Sequence, residues 1–114
     1  MKKVQMADFG NAEVLQLIEQ PVPSPGPGEL LIRVKAAGVN FSDVLRRRNT
    51  YFMPTTLPFT PGAEAVGEVV QTGEGVEAPP FSKGSLVLAI LPAGGGYSEY
   101  VTASAQYCIP LPPH

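Results

Sequence analysis

The sequence is poor in the side chains that build metal sites and covalent catalytic centres. Its 114 residues include one cysteine, Cys108, one histidine, His114, and no tryptophan. A zinc site takes three or four Cys, His or carboxylate ligands, and a nucleophile–histidine–carboxylate triad needs a positioned histidine. Glu64 cannot complete either set, and a single cysteine excludes a disulfide within the chain. We therefore expect no metal, no intrachain disulfide and no triad.

Long apolar runs and an excess of one charge are also lacking. The chain has 8 lysines and arginines against 10 aspartates and glutamates, a formal net charge of −2. This balance argues against nucleic acid or a membrane surface as a partner of the whole chain. No apolar run approaches the roughly 20 residues that span a bilayer, and no signal-peptide core follows Met1-Lys2-Lys3. The sequence therefore predicts a cytoplasmic protein.

Proline and glycine, in contrast, are abundant, with 13 and 12 residues in a chain of one-domain length. They are spread along the chain, which is typical of turns between short strands. About six to eight short strands indicate a mainly β, antiparallel sandwich or barrel. The predicted strands are residues 3–9, 14–19, 29–37, 63–70, 84–91, 97–101 and 106–111.

Two of these predictions are specific enough to test closely. In the strand at residues 29–37, strict alternation places Leu31 on the same face as the two cationic residues. A short helix is predicted at residues 42–48, with Asn40 or Ser42 as its cap. Its arginines then lie in the last turn, where the helix dipole favours cations.

Glycine-rich segments do not form a phosphate-binding loop in this sequence. Gly94, Gly95 and Gly96 follow a strand, but the next residues are strand-like, so no helix offers its amides to a phosphate. Residues 62–67 have the glycine spacing of a P-loop, yet Glu68 stands where that motif needs a lysine. We expect no phosphate loop.

Polar groups able to contact a ligand are concentrated between residues 36 and 70. The candidates are Asn40, Ser42, Asp43, Arg47, Tyr51 and Glu64. Asn40 could hydrogen-bond a ligand or cap the helix, and both interpretations stay open. Asp43 is more typical of a cap or an arginine partner than of a catalytic group.

Two interpretations also stay open for Tyr51 and for the arginines at 46–48, and Glu64 is a further candidate. The Tyr51 hydroxyl could donate to a carbonyl oxygen, or belong to an ordinary half-buried tyrosine. Glu64 is unusual inside a strand of small residues, because a buried carboxylate needs a partner. The arginines form either a solvated face or a local attractor for phosphate.

As a set, three motifs in this chain resemble a known family. They are VxAAGVNxxD from residue 34, PxxPGxExxGxVxxxGxxV from residue 58, and YxEYV from residue 97. The resemblance, which extends from Met1 to Leu111, is to the N-terminal half of medium-chain dehydrogenases/reductases, in the zinc-free quinone oxidoreductase branch. It implies a GroES-like, partly open antiparallel β-barrel with one or two short helices. Ser85 departs from the acidic residue usual at its position.

The resemblance also implies a chemistry and a set of site residues. The reaction would be hydride transfer from NADPH to a quinone or enone, with positioning and polarisation as the protein's task. Val39-Asn40 and Gly62-Ala63-Glu64 stand where zinc-dependent relatives have metal ligands, so no zinc is expected. The implied catalytic residues are Asn40, Asp43 and Tyr51, the cofactor-binding residues Asn40, Phe41 and Arg47, and the substrate-pocket residues Tyr51, Phe52, Glu64 and Leu91.

Such enzymes carry a Rossmann domain, and the resemblance places it beyond His114, absent from this 114-residue chain. We therefore expect the chain alone to be inactive and to self-associate through an uncovered cleft around Phe41, Tyr51, Phe52 and Leu91. An alternative is a stand-alone GroES-like barrel that acts as a protein-binding or structural module. A family member that has lost catalysis is a third interpretation.

Overall fold

Seven β-strands and one α-helix form the part of the chain that a computed structural model describes, residues 1–112. Two single-turn 3₁₀-helices, Ala12–Val14 and Ala105–Tyr107, accompany them. In chain order the main elements are β1 (Lys2–Gln5), β2 (Gln16–Glu19), β3 (Glu29–Ala37), α1 (Phe41–Arg47), β4 (Glu64–Thr72), β5 (Leu86–Ile90), β6 (Tyr100–Ser104) and β7 (Cys108–Pro110).

The strands make a curled five-stranded sheet in the order β6-β3-β4-β5-β7 and a separate β1–β2 pair. Every pairing between these strands is antiparallel. The nine-residue strands β3 and β4 form the centre, in a register that runs from Leu30 opposite Thr72 to Ala37 opposite Ala65. The predicted mainly β, partly open antiparallel barrel is confirmed.

The core lies inside the curl of the five-stranded sheet. Leu30, Ile32, Val69 and Val87 are fully buried there, and alternate residues of β4, β5 and β6 face inward. Each such side chain contributes about 1.5–3 kcal/mol when taken out of water. This rigid half-barrel carries α1 and the loops around it, where the polar candidates lie.

Leu31 is buried although alternation places it on the face opposite to the core. Leu30 and Ile32 belong to the buried cluster inside the curl, whereas Leu31, which is 5% exposed, does not. The pairing of β3 with β6 runs without a shift from Glu29 to Arg33, and the extra residue at the register shift with β4 lies on β4. The prediction that Leu31 shares a face with Arg33 thus agrees with the register, and Arg33 is exposed and pairs with Glu68 at 3.0 Å.

The predicted strand at residues 97–101 is displaced along the chain. Its first residues bond instead to β1: the Val4 amide donates to the Tyr97 carbonyl at 2.9 Å, and the Glu99 amide donates to the Lys2 carbonyl at 3.1 Å. Strand β6 begins only at Tyr100 and continues to Ser104, opposite Glu29. Extended backbone was predicted correctly, but its partner could not be read from alternation.

Helix α1 is close to its prediction, beginning at Phe41 and ending at Arg47. The segment predicted as a strand from Val14 is a 3₁₀ turn at its start and a strand only from Gln16, because the Leu15 amide bonds back to the Ala12 carbonyl at 3.1 Å. Within residues 1–112 no helix has the length and apolar character needed to cross a membrane.

Two backbone segments cross closely beside α1. The amides of Gly95, Gly96 and Tyr97 donate to the carbonyls of Thr60, Gly62 and Pro61 at 2.8, 3.1 and 3.0 Å. Gly62 has φ +110°, and a Cβ there would lie 2.5–2.7 Å from backbone atoms of Gly96 and Tyr97. The glycines in this crossing allow two backbones to touch.

Candidate functional site

The site begins where the chain leaves β3 and enters α1. Asn40 is extended, with φ −121° and ψ 158°, and its amide donates to Asp43 Oδ2 at 3.0 Å. The Asp43 amide in turn donates to the Asn40 carbonyl, also at 3.0 Å. A helix of seven residues is too short to be stable by itself. These contacts at its first turn therefore fix where the helix starts.

Asp43 joins three segments of the chain through its carboxylate. Oδ1 accepts from the Gly62 amide at 3.0 Å, and Oδ2 accepts from the Tyr97 hydroxyl at 3.0 Å in addition to the Asn40 amide. The side chain is 7% exposed. Three donors offset the cost of burying a carboxylate, so Asp43 holds α1 against the crossing of the two glycine-containing segments.

Tyr97 completes this cluster from the other side. Burial, the hydrogen bond to Asp43 and the negative charge of Asp43 together raise the pKa of the hydroxyl to about 12, and burial is the largest of these causes. The phenol therefore stays protonated and keeps donating to the carboxylate.

Arg46 is the second buried charged residue of α1, three positions after Asp43. It is 8% exposed, and Nη2 donates to the Pro92 carbonyl at 2.9 Å. Its guanidinium carbon lies 4.6 Å from the ring centre of Tyr51 and 5.2 Å from that of Phe59. Cation–π contact with two rings holds the guanidinium group in place.

A cavity of about 190 Å³ opens between α1 and the end of β5. Asp43, Arg46, Tyr51, Phe59 and Leu91 are among its lining residues. Pockets that enclose a small ligand are commonly about 300–1,000 Å³. A cavity of this size, bordered by one carboxylate, one guanidinium and one phenol, can form one wall of a cleft for a small carbonyl compound.

Comparisons with known proteins agree with this architecture. Residues 26–113 match the family described as the alcohol dehydrogenase GroES-like domain. The chain belongs to this family. As a GroES-like domain it is 36% identical over 113 residues to the quinone oxidoreductase of Rattus norvegicus, a match that covers 98% of the chain and 34% of that protein. The predicted family, with quinone oxidoreductases among its relatives, is confirmed.

Solved structures agree with the sequence comparison. The Escherichia coli quinone oxidoreductase complexed with NADPH matches with a TM-score of 0.90 at 31% identity, over 98% of this chain and 33% of that one. The human synaptic vesicle membrane protein VAT-1 homolog-like protein matches with a TM-score of 0.91 at 33% identity, over 98% and 35%. The GroES-like domain thus spans about a third of the length of these relatives.

Four of the residues predicted for the site of this GroES-like domain line the cavity, namely Ser42, Asp43, Tyr51 and Leu91. Arg46, which the sequence analysis treated only as part of an arginine cluster, lies there with them. Its spacing of three residues from Asp43 places both on one helix face. This spacing is the signal in the sequence that relates Arg46 to Asp43. A run of arginines is usually solvated, and for that reason the spacing alone does not predict a buried Arg46.

The other predicted residues lie around the cavity and do not line it. Asn40 is half-buried at the start of α1, whereas Phe41 and Phe52 are 71% and 83% exposed. Arg47 turns away, because its Nε donates to the Gly10 carbonyl at 3.1 Å. Glu64, at the first position of β4, is half-buried with its carboxylate beside Gly38.

The residues present fit only part of a nicotinamide cofactor. Val39 and Phe41 are 80% and 71% exposed at the start of α1, an apolar surface suited to a planar ring. The amides of Asn40 and Asp43 there are engaged by internal bonds, and the strands of residues 1–112, which all pair antiparallel, contain no unit of strand, helix and parallel strand. The ring end of the cofactor therefore fits, and its diphosphate does not.

No group of three His, Cys, Asp or Glu side chains able to hold a metal occurs in residues 1–112. His114 lies outside the described residues. Cys108 is buried in the core, and burial raises the pKa of its thiol to about 11. A protonated, enclosed thiol is a poor nucleophile and a poor metal ligand. That the protein works without zinc stays a prediction.

Proposed function

We propose that this chain is the substrate-binding domain of an NADPH-dependent quinone oxidoreductase-like enzyme, which transfers a hydride to a quinone or enone without a metal. The observation that carries the proposal is the cavity in which Asp43, Tyr51 and Leu91 meet. The proposal is further supported by the proteins similar to this chain, which are named quinone oxidoreductases and include a structure complexed with NADPH. Because the chain spans a third of those relatives, the activity is assigned to the longer protein.

In this proposal the cofactor would supply the hydride, and the chain's residues position the ring and the substrate. Asn40, Phe41 and Arg47 surround the start of α1, where the exposed apolar surface would receive the ring. Arg47 would act indirectly, since its bond to the Gly10 carbonyl ties α1 to the turn before β2. The remainder of the cofactor would lie on a Rossmann domain.

Tyr51 is the group best suited to act on a carbonyl oxygen. Its hydroxyl makes no hydrogen bond to any described residue, and its ring borders the cavity beside Arg46. A phenol can donate to a carbonyl oxygen as negative charge develops there. Asp43 would be a positioning residue, because its oxygens already serve three donors within the fold.

The other predicted pocket residues extend these walls. Leu91 is a buried apolar wall of the cavity, and Phe52 packs against Tyr51 with ring centres 4.6 Å apart. Glu64 lies at the start of β4 beside Gly38, so it would border the entrance rather than the centre of the pocket.

The test is steady-state kinetics of the full-length protein with 1,4-benzoquinone and NADPH. Tyr51→Phe should lower kcat/KM by about 100-fold, because it removes a proton donor and keeps the ring. Tyr107→Phe changes an exposed tyrosine on the 3₁₀ turn before β7 and serves as the matched control. Equal rates for Tyr51→Phe and the control would show that Tyr51 takes no part in the chemistry. If the unaltered protein does not reduce the quinone, the proposed function is refuted.

For the isolated chain we expect no turnover, no NADPH binding at low-micromolar concentration, and self-association. The physical reason for association is the exposed apolar surface of Val39, Phe41 and Phe52. Calorimetry with NADPH measures binding, and analytical ultracentrifugation measures self-association. A micromolar dissociation constant for NADPH would contradict the expected lack of binding, and a strictly monomeric chain would contradict self-association. A closed ring would favour the stand-alone module.

A further inference from the structure

A second, larger cavity lies on the other side of Arg46. It measures about 470 Å³ and shares Arg46, Phe59 and Pro92 with the smaller cavity of the cleft, so these residues form the partition between the two. The second cavity is otherwise walled by residues from β1, from the loop that precedes β4 and from the loop that follows β5. Arg46, from the arginine cluster at residues 46–48, is the one residue of the sequence-based candidates among its lining residues.

The charge around this cavity has one sign. Lys3 and Arg46 line it, together with the hydroxyl-bearing Thr56 and Thr60. The remaining lining residues are proline, methionine, phenylalanine, alanine and glycine, and none is a carboxylate. Two cations with no anion between them raise the local concentration of negative ligands.

Within residues 1–112 the guanidinium of Arg46 has no carboxylate partner and few hydrogen-bond acceptors. A guanidinium has five N–H donors, and in this part of the chain it makes a single hydrogen bond, to the Pro92 carbonyl. The one ion pair formed there is between Arg33 and Glu68. Asp43 shares the helix, but both of its oxygens are turned to other donors. A buried cation in this condition is expected to have an anionic partner.

The guanidinium is also held in a fixed place. Tyr51 and Phe59 contact it from their ring faces, and Phe59 is itself buried. The backbone of Phe59 exchanges two hydrogen bonds with Met6, of 2.9 and 3.0 Å, which anchors it to the strand side of the fold. Because the planar guanidinium group is already held in place, it loses little conformational entropy when it binds two oxygens of a carboxylate or phosphate.

We propose that the second cavity is an anion-binding site, in which Arg46 and Lys3 bind a carboxylate or phosphate group and the threonine hydroxyls supply further hydrogen bonds. The site needs no hydride transfer, so it stands apart from the proposed function. The anionic group can belong to the substrate that occupies the neighbouring cleft, or to a free ion.

The test is a titration of the ¹⁵N-labelled chain with benzoate, with the neutral isostere benzamide, and with inorganic phosphate, followed by amide shifts. Benzoate and phosphate should produce saturable shifts near Thr60 and Ala93, and benzamide should not. Arg46→Gln should raise the dissociation constant at least tenfold and Lys3→Gln about threefold. Arg48→Gln, which removes the same charge from an exposed position of the same helix end, should change it less than twofold.

Equal weakening by Arg46→Gln and Arg48→Gln would overturn the proposal, since it would reveal only general attraction to net charge. Equal shifts with benzamide, or the absence of saturation, would overturn it too. If Arg46→Gln does not fold, Arg46→Lys and Lys3→Gln decide: the proposal requires both to weaken benzoate binding while Arg48→Gln does not.

Kinetics of the full-length protein distinguish the two sources of the anion. If the anion is part of the substrate, Arg46→Gln lowers kcat/KM for a carboxylate-substituted benzoquinone at least tenfold more than it lowers kcat/KM for plain benzoquinone. If the anion is free, phosphate shifts the kinetics of both quinones in the same way, and Arg46→Gln abolishes that shift. An inactive protein that still binds benzoate through Arg46 would refute the proposed function and leave the anion site in place.

Discussion

Asp43 and Arg46 lie three residues apart on α1, and both are more than nine-tenths buried, yet their surroundings differ. The Asp43 carboxylate accepts three hydrogen bonds, from Asn40, Gly62 and Tyr97. Within residues 1–112 the Arg46 guanidinium makes one, to the Pro92 carbonyl, and borders two cavities. Both oxygens of Asp43 therefore have donors, whereas most N–H donors of Arg46 have no acceptor in this part of the chain.

The difference separates a charge that builds the domain from one that is available to a ligand. Removing one partner from a satisfied buried network leaves several donors unpaired, each at a cost of about 1–3 kcal/mol. Burying a charge costs free energy, so replacing a buried charge that has few partners by an apolar side chain loses little stability. Substitution of Asp43 should therefore lower the stability of the domain, whereas substitution of Arg46 should weaken ligand binding.

The largest effect is expected for Asp43→Ala. It leaves the Asn40 amide, the Gly62 amide and the Tyr97 hydroxyl without their acceptor. We expect the free energy of unfolding to fall by about 3 kcal/mol or more. Urea unfolding followed by circular dichroism measures it, with Asp8→Ala as the control at an exposed aspartate. A loss no larger than that of the control would mean that Asp43 does not hold the segments together.

A smaller effect is expected for Tyr97→Phe, which removes one of the three donors. At neutral pH the free energy of unfolding should fall by about 1 kcal/mol. The pKa of Tyr97 is raised from 10.0 to about 12 in the folded state, so the folded state holds the proton more tightly. The resulting stabilisation is fully present below pH 10 and is lost as the pH rises towards 12.

Urea unfolding at neutral pH and at several values between pH 10 and 12 tests both parts. The unaltered chain should lose stability more steeply over that interval than Tyr97→Phe does. Tyr107→Phe, at an exposed tyrosine, should follow the unaltered chain. Identical alkaline profiles for the unaltered chain and Tyr97→Phe would contradict the assignment of this titration to Tyr97.

Much of the fold follows from local signals in the sequence. The nine-residue strand Glu29–Ala37 has the predicted bounds, and α1 lies within one residue of its prediction. Both have strong local causes, a β-branched and leucine-rich run in one and a cap with terminal arginines in the other. The failure at the segment 97–101 depends on which strand lies beside it, which a single sequence does not encode locally.

The site divides in the same way. Asp43 as a helix cap was one of its predicted roles, because the spacing from Asn40 is local. The expected arginine partner is not the one that forms, since Asp43 binds Gly62 and Tyr97, which are 19 and 54 residues away. The burial of Arg46 could not be predicted for the same reason, because its contacts with Phe59 and Pro92 exist only in the folded chain.

The most direct test of the contrast between the two residues is the unfolding free energy of Arg46→Met, measured beside that of Asp43→Ala. An apolar side chain of similar length replaces a cation that makes a single hydrogen bond. The free energy of unfolding of Arg46→Met should stay within about 1 kcal/mol of that of the unaltered chain, the worth of the one hydrogen bond that is lost, while benzoate binding is lost. A loss of stability as large as that of Asp43→Ala would contradict it, and would make Arg46 part of the scaffold.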